Sequence, residues 1–190
     1  MISHRSKSIF SLSQCMQKRV IDYGPIQVGK YALSHLTPDG AESFSVVSHV
    51  RHPGFNGQVC CGYYSGTYFD GVVNDFLILK LSGESMKPVI RLNADPSIPR
   101  ENATLYVIGF GDTNPGPAYQ VPKYLHEVTV NYESNDKCSR TSVYPSNLLS
   151  NSSMCATDPG EDACNGDSGG PLLVKGNTHA TDVQVGLVSW

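Results

Sequence analysis

The sequence predicts an all-β protein, and three observations carry that prediction. Short runs of β-forming residues recur through the chain, separated by clusters of Gly, Pro, Asn and Asp. Helix signals are scarce. No internal repeat or low-complexity block interrupts the pattern. A barrel or sandwich is the expected architecture. The strands expected from these runs cover residues 26–33, 44–51, 76–81, 104–108, 125–131, 171–174 and 183–190. One short helix is expected at 135–140, where the pair Asn135-Asp136 offers a cap.

Composition narrows the class. The chain has 190 residues, slightly short for the all-β barrels that run to about 200–250 as one unit. Its 39% hydrophobic and 16% charged content is that of a globular protein. A net charge of −3 gives no reason to expect nucleic acid or a membrane surface as partner. No apolar run approaches the length of a transmembrane helix. Six cysteines with 18 glycines, 12 prolines and 10 tyrosines point to an oxidised, loop-rich, secreted protein. Glycosylation sequons at Asn102 and Asn151 agree with that. The first fifteen residues do not: they hold His4, Arg5 and Lys7, and after these only Ile9, Phe10 and Leu12 as larger apolar residues, which is no signal core. Either the start is incomplete or the protein is not secreted.

Two stretches bear on organisation. Residues 54–71 form a long expected loop with five glycines, three tyrosines and the pair Cys60-Cys61. A Pro- and Asp-rich break at 93–102 reads as a linker between halves 1–95 and 96–190. Trp190 directly follows an apolar strand, so the chain is expected to be cut in mid-strand.

The chemistry concentrates at Asp162-Ala-Cys164-Asn165-Gly166-Asp167-Ser168-Gly169-Gly170-Pro171. Glycines around Ser168 allow a turn that exposes its hydroxyl. The backbone N–H groups of Gly166 and Ser168 can converge on one point, as an oxyanion hole requires. Upstream, Asp75 precedes the apolar run Phe76 to Leu79, so its carboxylate is expected to be buried and to need a partner.

Gly166-Asp-Ser-Gly-Gly-Pro171 resembles the nucleophile motif of the trypsin/chymotrypsin-like serine proteases. Asn74-Asp75-Phe-Leu-Ile-Leu-Lys-Leu81 is similar to that family's buried-aspartate segment, and Gly186-Leu-Val-Ser-Trp190 to the strand beside its specificity pocket. His52-Pro53 and Gly109-Phe-Gly111 also sit where that family has similar pieces, and the resemblance covers nearly the whole chain, from about Ile9 to Trp190. The resemblance implies two antiparallel β-barrels, the first incomplete, the second lacking its last strand and C-terminal helix. It implies a secreted, monomeric, cofactor-free endopeptidase that cleaves polypeptides after Arg or Lys through an acyl-enzyme. Ser168 would be the nucleophile, Asp75 the carboxylate that orients the base, and Gly166 and Ser168 the oxyanion donors. Asp162 would sit at the base of the specificity pocket, with Ser189 and Trp190 along one side. Cys138 and Cys155 would pair, while Cys15 and Cys164 match half-cystines whose partners lie outside the chain. Cys60 and Cys61 depart from the family, and no His/Cys spacing points to a metal.

Two departures touch the chemistry. The family's histidine precedes a cysteine after an apolar strand, and that place in Ile9-Phe-Ser-Leu-Ser-Gln14-Cys15 holds Gln14, whose neutral amide is no base. His4, His35, His49, His52, His126 and His179 do not align with it. The family's free N-terminus, which would pair with Asp167, also has no match, so Asp167 is expected to shift, move or stay hydrated and the oxyanion loop to loosen. The chain as written is therefore expected to be inactive. The alternative is a catalytically dead homologue that binds or regulates partners. A third, an unrelated β-domain with a chance motif, would need four ordered coincidences.

Overall fold

The computed structural model describes residues 6–11, 24–33, 40–55, 73–114, 116–141 and 149–189. Eleven strands, one short α-helix and a 3-10 turn at His179–Thr181 are described: β1 (Ser6–Ser11), β2 (Ile26–Val28), β3 (Glu42–Phe44), β4 (Val46–Arg51), β5 (Leu77–Ser85), β6 (Arg91–Leu92), β7 (Thr104–Gly109), β8 (His126–Glu133), α1 (Asn135–Thr141), β9 (Cys155–Thr157), β10 (Pro171–Val174) and β11 (Val183–Leu187). They form a three-stranded sheet β1-β5-β4, a hairpin β2-β3, and a six-stranded sheet β6-β11-β10-β7-β8-β9. The fold is all-β and of the chymotrypsin type, with neither barrel closed among the described residues.

β5 shows why the first half folds. Asp75, Leu77, Leu79 and Leu81 are buried while Phe76, Ile78 and Lys80 are exposed. This period of two puts one face of the strand into the core. Leu77 and Leu79 anchor that core with Ile26 and Val46 against them. In the second half Leu105, Val107, Val130 and Leu172 form the larger core, drawn from β7, β8 and β10. All strand pairs are antiparallel except β6 with β11, where Val183 lies opposite Arg91.

The halves are joined by main chain and side chain. Ala32, almost fully buried, forms an isolated bridge with Tyr124, and Leu33 and Leu125 each donate an N–H across the same contact. The rings of Tyr31 and Tyr124 meet there at 5.6 Å. Asn74 donates its N–H to Ser152 Oγ at 2.9 Å.

Local chemistry explains the remaining elements. The sequence suggested Asn135 and Asp136 as the cap of α1. The structure shifts this by one residue, because Ser134 Oγ accepts the Lys137 N–H at 3.4 Å. Asn135 instead turns its amide to the Ser150 and Ser153 carbonyls. Asp136 near the start and Arg140 near the end of α1 still complement the helix dipole. The expected Cys138–Cys155 disulfide is present and ties α1 to β9. The stretch 93–102 is folded onto itself: Asn93 Nδ2 donates to the carbonyls of Asp95 and Ile98.

Glu42 closes the end of β5. Its carboxylate accepts from the Ser85 hydroxyl and from the Met86 N–H. These bonds, the Ser85 hydroxyl first, hold its carboxyl below the usual range.

Two outcomes test this account. Leu105→Ala removes a fully buried side chain and should cost about 2–5 kcal/mol in urea unfolding. Val121→Ala, at a half-exposed site, should stay within about 0.5 kcal/mol. Because the Glu42 carboxyl is lowered on folding, its stabilisation is complete above the unfolded value near ~4.3 and is lost as the pH falls through the depressed folded value. The difference in thermal midpoint between the chain and Glu42→Gln should therefore close as the pH falls below about 4.

Candidate active site

Asp75 lies two residues before β5 begins and continues its inward-facing series, so the strand's own period turns the carboxylate inward. It is 8% exposed. A buried carboxylate is costly without hydrogen bonds. Ser189, 114 residues later, donates its hydroxyl to Asp75 Oδ2 at 2.9 Å. Asn74 sets the approach. Its backbone is left-handed at φ 54°, a region asparagine tolerates better than most residues. Its Nδ2 donates to the Gly54 carbonyl at 3.0 Å.

Ser168 stands at the other end of the same chain of contacts. Gly169 donates its N–H to the Val188 carbonyl at 2.8 Å, and the Val188 N–H donates to the Gly170 carbonyl at 2.9 Å. Val188 directly precedes Ser189. The serine turn and the residue that holds Asp75 are thus pinned to one short stretch of backbone. Ser168 itself is exposed. Gly166 has φ +103°, and a Cβ there would crowd the Tyr119 hydroxyl and the Gly111 Cα, so glycine is required on both counts. The amides of Gly166 and Ser168 donate to no group among the described residues.

Asp167 departs from the expectation. It is half-buried, and its carboxylate accepts the Gly111 N–H at 2.8 Å and the Cys164 N–H at 3.0 Å. It has no cationic partner among the described residues. The serine turn lies within the described part of the chain, with Asp167 satisfied by main-chain donors. Gly109 and Gly111 make this possible, because a Cβ at either would overlap the Asp167 carboxylate. Their part in seating Asp167 was not read from the sequence. The Gly-Phe-Gly spacing was its only trace.

The other expected residues are placed separately. Asp162 is exposed, and its Oδ1 accepts the N–H of Ala163 at 2.7 Å. Ser189 was expected on a pocket wall. Its hydroxyl goes to Asp75. Trp190, Gln14, Cys15, Cys60, Cys61, His4 and His35 lie outside the described residues. Cys164 is a free, exposed thiol. His52 lies near Asn74 through the Gly54 turn, but its Nδ1 accepts the Gly54 N–H at 3.1 Å. His179 faces Asp182 at 3.6 Å. Among the described residues no group of three or more His, Cys, Asp or Glu could hold a metal ion.

The trypsin family model matches residues 9–190. Trypsin delta of Drosophila melanogaster is 30% identical over 189 residues, covering 98% of this chain and 66% of the relative. Human kallikrein-5 is 29% identical over 168 residues, covering 87% of this chain and 50% of the relative. Trypsin alpha of Drosophila erecta is 34% identical over 134 residues, covering 68% of this chain and 47% of the relative. The chain therefore spans about half to two thirds of the length of these relatives. With a match across nearly its whole length, on a fold of this type, the chain belongs to the trypsin family.

Proposed function

We propose that the chain carries the site of a secreted, monomeric serine endopeptidase specific for polypeptides at Arg or Lys, with its base position occupied by Gln14. The observation that carries this is the buried Asp75, held by Ser189 beside the backbone that pins the Ser168 turn. The halves 1–95 and 96–190 act together here, since Asp75 comes from one and Ser168 and Ser189 from the other.

In the reaction, Ser168 Oγ attacks the carbonyl carbon of the scissile peptide. A base takes the hydroxyl proton as the C–O bond forms. The negative carbonyl oxygen sits against the Gly166 and Ser168 amides. The C–N bond then breaks, the leaving amine takes a proton, and water hydrolyses the acyl-enzyme. Asp75 supports the base by fixing its tautomer and balancing its charge. Gln14 can neither accept nor return that proton, so the first step stalls. Loss of a triad member costs up to roughly 10⁶ in rate. Asp162 supplies the carboxylate for a substrate guanidinium or ammonium.

A second reading is favoured by Gln14 alone: a catalytically silent homologue that engages basic segments of a partner without cutting them. Binding and turnover separate the two readings from the failure of both.

The purified chain should not label with a serine-directed fluorophosphonate and should not cleave an arginyl ester. Gln14→His should raise the labelling rate of Ser168 by about 10²–10⁴-fold. Rapid stoichiometric labelling of the unaltered chain would refute the role given to Gln14. Both readings also require the acidic pocket. A benzamidine-type amidinium should bind the unaltered chain, and Asp162→Asn should weaken it about 10–100-fold. Equal binding by both proteins removes Asp162 from the pocket.

A further inference from the structure

The geometry points to Asn151 as a site of N-linked glycosylation, with the first sugar lying in the cleft beside it. Asn151-Ser152-Ser153 is one of two sequons in the chain, and the fold treats the two differently. At Asn102 the fold already accounts for the asparagine. Its backbone is left-handed at φ 58°, and its Oδ1 accepts from Lys137 Nζ. Nothing comparable accounts for Asn151. It is exposed on a turn, and its side chain has no hydrogen-bond partner among the described residues.

Its neighbours, by contrast, are committed to holding that turn. Ser152 Oγ accepts the Asn74 N–H at 2.9 Å. Ser150 Oγ lies 2.8 Å from Ser152 Oγ and 3.1 Å from Ser153 Oγ. Asn135 Nδ2 donates to the Ser150 and Ser153 carbonyls. The turn is anchored to α1 and to the Asp75 segment, and Asn151 is exposed on it with its side chain uncommitted among the described residues.

Beside it is an open cleft of about 440 Å³. Asn151 lines it together with Pro96, Ile98, Pro99, Tyr132 and Met154. An N-acetylated sugar suits such a lining. Its pyranose C–H face packs on an aromatic ring, and its methyl fits against Met and Pro. Carbohydrate joined at the rim reaches this cleft without paying again for association, because attachment has already fixed it nearby.

The attachment is a group transfer from a lipid-linked oligosaccharide pyrophosphate. Asn151 Nδ2 bonds to the anomeric carbon of the first N-acetylglucosamine. The bond from that carbon to the pyrophosphate oxygen breaks, the lipid pyrophosphate leaves, and one amide proton passes to a base. The inference rests on the secreted location proposed above and not on the catalytic reading.

The test is to secrete the full chain from insect cells behind a secretion leader and map its peptides by mass. The leader delivers the chain to the glycosylation machinery, so occupancy is read independently of its native location and of activity. The Asn151 peptide should carry hexosamine, and Asn151→Gln or Ser153→Ala should abolish it, whereas Asn102→Gln should leave it unchanged. A bare Asn151, or sugar at Asn102 alone, overturns the assignment. For the seating in the cleft, the glycan is trimmed to one N-acetylglucosamine and compared with the same chain from bacterial periplasm, which carries none. The trimmed protein should melt about 2–4 °C higher. Tyr132→Leu should abolish that difference. An equal midpoint with and without the sugar overturns the seating.

Discussion

The hydrogen bond from Ser189 to Asp75 is the contact on which the rest of the site depends. It closes a separation of 114 residues at 2.9 Å and joins two sheets that share no core cluster. A carboxylate buried at the end of β5 would be expensive with only apolar neighbours. Ser189 offsets that cost and, through Val188, fixes where the Ser168 turn lies relative to Asp75. The burial comes from the two-residue period that leads into β5, and the partner from the segment that follows β11 of the other sheet. Neither half of the chain makes the arrangement alone.

Asp167 shows the same economy with main-chain donors. A carboxylate beside the serine needs either a cation or directed N–H groups. Here Gly111 and Cys164 provide the amides. Two hydrogen bonds to a charged acceptor are each stronger than their neutral counterparts. The glycines at 109 and 111 let the backbone come close enough to donate, and any side chain there would push Asp167 and the serine turn away. The order of that turn therefore has a local cause, separate from any charged partner brought from elsewhere.

These contacts also mark how far the sequence could be read. Strand β10 matches its expected bounds, and β5, β7 and β8 differ from theirs by a few residues. Their apolar runs are long enough to declare themselves. β6 and β9 escaped, because two or three residues carry no period and exist only through their neighbours. The expected strand at 26–33 contracts to Ile26–Val28. Gly29 then turns the chain with φ +75°, and Ala32 bridges to Tyr124 across the halves. At the site, Ser168, Gly166 and Asp75 were legible as residue types in a pattern. The seating of Asp167 by Gly109 and Gly111, and the bond from Ser189 to Asp75, were not. Both are long-range contacts, and nothing in a local window encodes a partner 56 or 114 residues away.

A position that only exchanges protons can be lost without disturbing the scaffold that serves it. Asp167 and the serine turn are held by bonds to Gly111, Cys164 and Val188. None of them involves position 14. In the reading proposed above, a glutamine there removes the general base while leaving the bonds that hold Asp167 and the serine turn. Substrate binding depends on shape, donors and pocket charge, whereas turnover adds the single demand for a group that titrates near neutral pH. The physics that folds this site therefore does not by itself preserve its chemistry, and a chain of this family can keep the first after losing the second.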